Sequence, residues 1–351
     1  MYKKKSISTG IMLHASEITS TPECDCDYIL SAEGLEPHYQ NCSTVWRQRY
    51  GSTSPKNPDG TLRLMNEHLS KLNQDVLYHL GLDNVNYDLP KMFGDVKFVC
   101  MGGTKYRMKE FAKYVAKALD IPCEVFVNLT KHSHRYAMYK VGPVLSVNHG
   151  IGIPSMTILL QEVIKLLSYA KAKDPIIFRI GTSGGLNIPP GSVVISSWGL
   201  NATLEKSYDI PVLGKIRKIP SYFDKRLSEE LLCVASEEKE FSTFLGGTMA
   251  ADDFYRGQAR LDGPFCDYSE EDKMAFINTL VNLGVKNIEM EATAFAAMTR
   301  EAGLRSADVC VTLVNRLEED QVTPSKSQLL EWQERPMLVI AKYISKYVKK
   351  I

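Results

Sequence analysis

Apolar and polar residues alternate in blocks that predict strands and helices in turn from Asp95 onward. Residues 96–101 (VKFVCM) predict a strand, 107–119 carry apolar side chains at helical spacing, and 176–180 (IIFRI) read as a buried central strand. Further strands are predicted at 136–140, 144–147, 193–196, 244–249, 287–290 and 309–313, and further helices at 154–170, 223–238, 270–282, 291–302 and 326–349. This alternation predicts a single α/β domain with a central mixed, twisted β-sheet covered by helices.

The first 62 residues differ from the rest of the chain. They carry clusters of Ser, Thr, Pro, Asn and Gly, such as 53–60 (TSPKNPDG), and no sustained hydrophobic period. We therefore predict a poorly ordered extension at 1–62 and a folded domain at 63–351.

Composition narrows the class of protein. The 42 Lys and Arg against 41 Asp and Glu give a formal charge of +1, which argues against a nucleic-acid partner. No apolar run approaches the ~20 residues of a membrane span, and no secretory signal is apparent. The eight cysteines include no C-x-x-C pair, which favours reduced thiols, although Cys24, Cys26 and Cys42 are alternative metal ligands. We expect a cytoplasmic protein that acts on a small molecule.

Two glycine-rich segments match known motifs only in part. Residues 181–185 (GTSGG) fit the nucleophile elbow of hydrolases, but all seven histidines precede Ser183, whereas that motif needs its histidine later in the chain. Residues 150–155 (GIGIPS) carry only the first two glycines of a dinucleotide fingerprint, and there is no P-loop. The usual hydrolase interpretation is therefore excluded, and the sequence does not favour a dinucleotide site or a P-loop nucleotide site.

Arginines at the ends of predicted strands suggest an anion site. The backbone N–H of Gly103 can face an anion at a helix N-terminus, and Arg107 in the first helical turn is poorly placed unless an anion is bound. Arg179 interrupts a buried strand and needs a carboxylate or an anion, and Thr182 adds a hydroxyl there. The alternatives, a solvated surface side chain for Arg107 and a structural ion pair for Arg179, remain open.

Two downstream segments carry further polar groups. Glu289 and Glu291 share one face of a predicted strand and need hydroxyl or cationic partners, unless Glu291 merely begins a helix. Gln258 and Arg260, two residues apart, could bind a flat heterocycle with carbonyl and imide groups; a solvated loop is the alternative.

In order along the chain, these segments resemble the animal-type uridine phosphorylases of the nucleoside phosphorylase superfamily. The resemblance runs from about Gln74 to the last helix. It rests on 93–100 (FGDVKFVC), 135–140 (RYAMYK), 179–185 (RIGTSGG), the Gln-x-Arg of 258–260 and the Glu-Met-Glu of 289–291.

The resemblance implies reversible phosphorolysis of uridine to uracil and ribose 1-phosphate, as in pyrimidine salvage, by a homodimer with shared active sites. Phosphate is a co-substrate, and neither a metal nor another cofactor is implied. The phosphate site would comprise Gly103, Arg107, Arg179 and Thr182, with Arg135 of the partner subunit. The ribose site would comprise Met290 and Glu291, with His79 of the partner subunit. The uracil site would comprise Phe254, Gln258, Arg260, Leu313, Val314 and Val322.

The chain departs from the family pattern in four places. Residues 128–134 (NLTKHSH) replace a shorter segment before Arg135, and residues 104–106 (TKY) replace a Ser-Pro-Ser-like turn before Arg107. Ala259 replaces a glycine, and the stretch before Met65 has no counterpart, which leaves Met65 as an alternative start. Two other functions stay open: a catalytically silent nucleoside-binding paralogue or dimer partner, and a phosphorylase for another nucleoside. Retention of Arg179 and Glu291 favours activity.

Overall fold

Strands and helices alternate along the chain in the computed structural model, which describes residues 54–122, 125–130 and 133–349. The strands are β1 Val76–Leu77, β2 Leu82–Asp83, β3 Phe98–Gly102, β4 Met138–Val141, β5 Val144–Asn148, β6 Ile176–Gly185, β7 Val193–Leu200, β8 Ser207–Val212, β9 Lys215–Pro220, β10 Thr243–Ala250, β11 Val285–Glu289 and β12 Arg305–Asn315. The α-helices are α1 Leu89–Phe93, α2 Lys105–Ala118, α3 Ile153–Tyr169, α4 Lys225–Ala235, α5 Glu270–Asn282, α6 Ala292–Glu301 and α7 Lys326–Val348. Short 3-10 helices lie at Glu67–Lys71 and Arg256–Gln258.

Eight of the described strands form one mixed sheet in the order β11-β10-β7-β12-β6-β3-β5-β4. Strands β3, β5, β6 and β12 run parallel, so their carboxyl ends meet at one edge. The far end of β6 also pairs antiparallel with β11, with Asn287 opposite Gly185. This extra pairing closes β6, β12, β7, β10 and β11 into a barrel and brings the end of β11 to the same edge.

Helices cover both faces of the sheet. Val99 and Met101 of β3 belong to a buried cluster with α3 and α6, whereas Phe98 and Cys100 belong to a second cluster with α2, α4 and α7. A strand buried on both faces needs apolar residues at every position, which explains the continuous runs in the sequence. The predicted α/β fold with a covered mixed sheet is confirmed. Within the described residues, no helix is long and apolar enough to cross a membrane.

The sequence pattern underestimates the length of β6 and misses one hairpin. Strand β6 extends to Gly185 because its glycine-rich end, which has no hydrophobic signal, pairs with both β12 and β11. The hairpin of β8 and β9 was not predicted. It lies outside the central sheet, and most of β9 is exposed, so it shows no clear alternation.

Residues 54–62 lie against the folded domain, although we predicted them to be part of a poorly ordered extension. Thr61 forms a β-bridge with Lys173, Lys56 Nζ lies 2.9 Å from Asp174 Oδ1, and Leu62 is buried in the core. The cluster of turn residues therefore forms a docked turn here, and the predicted boundary at residue 62 is too late. Residues 1–53 lie outside the described residues, so the rest of the predicted extension stays a prediction.

Candidate active site

A cavity of about 260 Å³ lies where the carboxyl ends of β3, β6, β11 and β12 meet. It is lined by every site residue predicted from the sequence except His79 and Arg135. The predicted residues in the lining are Gly103, Arg107, Arg179, Thr182, Phe254, Gln258, Arg260, Met290, Glu291, Leu313, Val314 and Val322. His149 and Arg316, to which the sequence analysis assigned no role, line it as well.

Arg107 is buried at the start of α2, so it is not the solvated surface arginine considered as an alternative. Thr104 caps this helix by accepting a hydrogen bond from Arg107 N at 3.1 Å. The guanidinium Nη2 donates to Gln333 Oε1 of α7 at 2.8 Å, whereas Nε has no hydrogen-bond partner. Burial lowers the pKa of Arg107 to about 10, and the side chain therefore remains a cation at neutral pH.

Arg179 is buried on β6 among three carboxylates. Its Nη1 donates to Asp308 Oδ1 at 2.8 Å, and its Nη2 lies 2.8 Å from Glu289 Oε2 and also pairs with Glu291. Burial alone would lower the pKa of Arg179, but these carboxylates hold it well above its ordinary value. The structural ion pair left open above is therefore present. An anion site is compatible with it, because Nε has no partner and the side chain lines the cavity.

Glu289 and Glu291 accept hydrogen bonds from different backbone groups of the site. Glu289 accepts backbone hydrogen bonds from Glu291 N at 2.8 Å and Ala292 N at 2.9 Å, and so caps α6. Burial raises the pKa of Glu289, opposed by Arg179. Glu291 pairs with Arg179 and accepts a hydrogen bond from Gly152 N at the start of α3. Against the effect of burial, Arg179 lowers the pKa of Glu291, which leaves an ionised acceptor in the cavity wall.

A chain of buried polar side chains extends from Asp308 through the barrel. Asp308 Oδ2 accepts a hydrogen bond from Ser196 Oγ at 3.0 Å, and Ser196 Oγ lies 2.6 Å from Thr248 Oγ1. Thr248 then donates to Asn287 Oδ1 at 2.7 Å, and Asn287 Nδ2 donates to Ser183 Oγ at 2.9 Å. Ser183 is therefore a member of this network, which agrees with the exclusion of a hydrolase nucleophile. Buried and paired, the network holds Asp308 against the arginine of β6.

Hydrogen-bond donors without partners concentrate in the cavity wall. Among the described residues, the buried side-chain nitrogens and oxygens that lack a partner are Arg107 Nε, Arg179 Nε, His149 Nδ1, His149 Nε2 and Thr243 Oγ1. All but the last belong to residues that line the cavity. Buried polar groups are nearly always paired in folded proteins, so such a cluster indicates a place where a ligand completes the bonding.

The other end of the cavity is shaped by Gln258 and Arg260. Gln258 is buried, and its backbone oxygen accepts a hydrogen bond from Arg316 Nη2 at 2.7 Å. Arg260 donates to Asp262 through Nε at 2.8 Å and Nη2 at 2.6 Å, and its Cζ lies 4.5 Å from the centre of the Phe254 ring. Neither Gln258 nor Arg260 is the solvated loop residue considered above. The fixed guanidinium, amide and ring suit a flat, polar ligand.

Ala259 stands between these two side chains in a left-handed conformation, with φ +51° and ψ +43°. Residues other than glycine are strained in this conformation, so alanine in place of the family glycine adds backbone strain at this position. Leu313, Val314 and Val322 add apolar side chains to the lining of the cavity.

His79 and Arg135 lie away from the cavity lining. His79 Nδ1 is 2.7 Å from Glu162 Oε1, and Arg135 is exposed. The resemblance assigns both to the site of a partner subunit, and a single chain does not test that prediction. The alternative metal ligands Cys24, Cys26 and Cys42 lie outside the described residues, within which no group of His, Cys, Asp or Glu side chains could hold a metal ion.

The sequence matches the phosphorylase superfamily model over residues 97–348. The chain belongs to this superfamily. It is 49% identical to the uridine and thymidine phosphorylase of Caenorhabditis elegans, over 78% of this chain and 91% of the relative. It is 45% identical to uridine phosphorylase 1 of Mus musculus, over 90% of this chain and 96% of the relative. A uridine phosphorylase structure from Phytophthora capsici superposes with a TM-score of 0.81 at 42% identity, over 83% of this chain and all of the other.

A phosphorylase relative of a different kind is also similar. The inactive uridine phosphorylase B of Schistosoma mansoni is 38% identical, over 81% of this chain and 96% of the relative. The superfamily therefore includes both active and inactive proteins. Evidence for activity has to come from the side chains that line the cavity.

Three side chains of this phosphorylase site were missed by the sequence analysis. Asp308 interrupts the apolar run of β12, and Arg316 directly follows that strand. A charged residue within or next to a buried strand is the sequence signal by which both could have been identified. His149 follows a predicted strand and precedes the glycines of 150–152, which is the position of a residue at the carboxyl end of a strand.

Proposed function

We propose that this chain catalyses the reversible phosphorolysis of uridine to uracil and ribose 1-phosphate. The observation that carries the proposal is the placement of unpaired guanidinium nitrogens of Arg107 and Arg179 in one cavity with Gln258 and Arg260. One end of the cavity suits an anion and the other suits a flat base. The similarity to the uridine and thymidine phosphorylase of Caenorhabditis elegans and to uridine phosphorylase 1 of Mus musculus supports this assignment.

The phosphate would act as the nucleophile. Cleavage of the glycosidic bond develops positive charge on the ribose and negative charge on the departing uracil, so an anion held beside the ribose stabilises the transition state. Arg107 and Arg179 would hold that anion, with the Thr182 hydroxyl and the Gly103 N–H as further donors. Glu291, already ionised, would accept hydrogen bonds from the ribose hydroxyls, and Met290 would contact the sugar.

The uracil would lie between apolar and polar walls. Phe254, Leu313, Val314 and Val322 would contact its faces and edges. Arg260 and the Gln258 amide would stabilise negative charge on the uracil oxygens and nitrogen as the bond breaks. Phosphate is the only co-substrate required, and neither a metal nor a redox cofactor enters this chemistry.

The active enzyme would be a homodimer with active sites shared between subunits. Tyr78, the residue before His79, is 73% exposed. Ile151, which lines the cavity, is 74% exposed. Exposed apolar side chains of this kind are what a subunit interface would cover. We place the dimer in the cytoplasm, in pyrimidine salvage, without a nucleic-acid or membrane partner.

A mixing experiment tests the shared site. An inactive Arg135→Ala chain and an inactive Arg179→Ala chain, reassembled at equal amounts, should recover about a quarter of wild-type activity, because half the dimers are hybrids with one intact site. No recovery, with subunit exchange confirmed by mass spectrometry, would show that both arginines act within one chain.

The reaction itself is tested by the rate of uracil release from uridine with and without phosphate, with thymidine and inosine as alternative substrates. Release should require phosphate, and inosine should be a poor substrate because the base end presents an amide and a guanidinium. Equal rates on inosine and uridine would reject the pyrimidine assignment. No release from any nucleoside would favour the silent paralogue.

A further inference from the structure

His149 is a buried histidine whose ring has no hydrogen-bond partner. It is 1% exposed, and both Nδ1 and Nε2 are unpaired. Its backbone is fixed, since its N–H donates to Gly102 O at 2.8 Å and its carbonyl accepts from Ser155 Oγ at 2.6 Å. An imidazole has at least one N–H and, when neutral, one lone pair, so both groups need a partner that the chain itself does not supply.

The charged groups around this ring come from three elements of the cavity wall. Arg107 reaches it from α2, Arg179 from β6, and Glu291 from the segment after β11. Burial lowers the pKa of His149 to about 3, helped by the two arginines and opposed by Glu291 and by the adjacent backbone of Gly150, which does not reach hydrogen-bond geometry with either ring nitrogen. The ring is therefore neutral at physiological pH and has one N–H to donate.

We propose that His149 is a catalytic residue that donates a hydrogen bond from its ring to the phosphate nucleophile. This inference rests on the proposed function. The cavity wall carries unpaired N–H groups on Arg107 and Arg179, and His149 is the third residue there with buried, unpaired nitrogens. One anion can accept from all three. A neutral donor orients the phosphate oxygens without adding fixed charge, so the ribose 1-phosphate product is not held more tightly by a third cation.

Steady-state kinetics on three variants tests the contact. His149→Leu removes the donor, while His149→Asn and His149→Gln place an amide N–H near the position of one ring nitrogen. For His149→Leu the KM for phosphate should rise about 10- to 100-fold, as expected for loss of a hydrogen bond to a charged group, with the KM for uridine nearly unchanged. One of the two amide variants should recover part of the phosphate affinity. Thr243→Val, which removes the unpaired buried oxygen outside the cavity, is the matched control and should leave both KM values unchanged.

The outcomes separate this inference from the function on which it rests. Uracil release that does not depend on phosphate in the wild type would reject the proposed function. Phosphate-dependent release with an unchanged phosphate KM in a folded His149→Leu would reject the contact alone. A change in the uridine KM only would also reject it, because the ring would then face the sugar. If His149→Leu does not fold, calorimetric titration of sulfate into the wild type, His149→Asn and His149→Gln decides the matter. Weaker sulfate binding in at least one amide variant supports the contact, and equal binding in all three rejects it.

Discussion

The position of the Arg179 guanidinium depends on how closely β6 approaches β12, and Gly181→Ala tests this dependence. A Cβ built on Gly181 would lie 2.5 Å from Cys310 Sγ and 3.0 Å from Arg179 Nη1. Cys310 is completely buried, so it cannot simply swing away. Overpacking of this kind costs about 1–3 kcal/mol, and we expect that loss in the free energy of unfolding. Displacement of the guanidinium should also raise the KM for phosphate.

The double variant Gly181→Ala/Cys310→Ala separates the steric cause from other effects. Removing the sulfur relieves the closest contact, so the double variant should be more stable than the sum of the single changes predicts, by about 1–2 kcal/mol. Urea denaturation of the wild type, the two single variants and the double variant gives this coupling. Additivity within about 0.5 kcal/mol would refute the proposed contact.

Three further predictions follow from the site. Gln258→Leu should lower kcat/KM for uridine, measured by initial rates, because an apolar side chain then faces the polar edge of the base. The expected loss of transition-state stabilisation is about 2–4 kcal/mol, and an unchanged kcat/KM would show that the base binds elsewhere. Ala259→Gly should raise the free energy of unfolding by about 0.5–1 kcal/mol, since relief of the left-handed strain exceeds the entropy gained by the unfolded chain; a less stable variant in urea denaturation would contradict this. The pKa of His149 is about 3 in the folded chain and about 6.5 in the unfolded chain, so between these two pH values only the unfolded chain binds a proton. The free energy of unfolding therefore decreases as the pH falls from about 6.5 toward 3. Between pH 6.5 and 4.5 the wild type should lose about 2–3 kcal/mol more than His149→Asn, and equal losses would show that His149 protonates freely in the folded chain.

The fold and much of the cavity wall could be predicted from the sequence because their signals are local. Continuous apolar runs identify strands buried on both faces, and Arg179 stands out because it interrupts one of them. The hairpin of β8 and β9 and the glycine-rich end of β6 gave no such signal. The end of β6 pairs with β11 and β12, which are distant in sequence. Strands β8 and β9 pair with each other, but β9 is largely exposed and so shows no clear alternation.

The ion-pair partners of the arginines in the site were harder to predict from the sequence. Whether Arg179 faces an anion or a carboxylate could not be decided from one strand, and the structure shows that it pairs with Glu289, Glu291 and Asp308. Arg260 likewise pairs with Asp262, two residues along the chain, in a geometry set by the turn at Ala259. The partners of Arg179 are set by tertiary packing and that of Arg260 by the conformation of a turn, and the residue pattern specifies neither.

The most direct measurement is the fate of the ribose when the protein is incubated with uridine and inorganic phosphate. Phosphorus NMR follows the phosphate as it enters a sugar phosphate, while ultraviolet absorbance follows uracil in the same reaction. If the unpaired donors of Arg107 and Arg179 hold the nucleophile, ribose 1-phosphate and uracil should appear in equal amounts, and Arg179→Ala should abolish both. Uracil formed together with free ribose, or no uracil at all, would contradict phosphorolysis at this cavity.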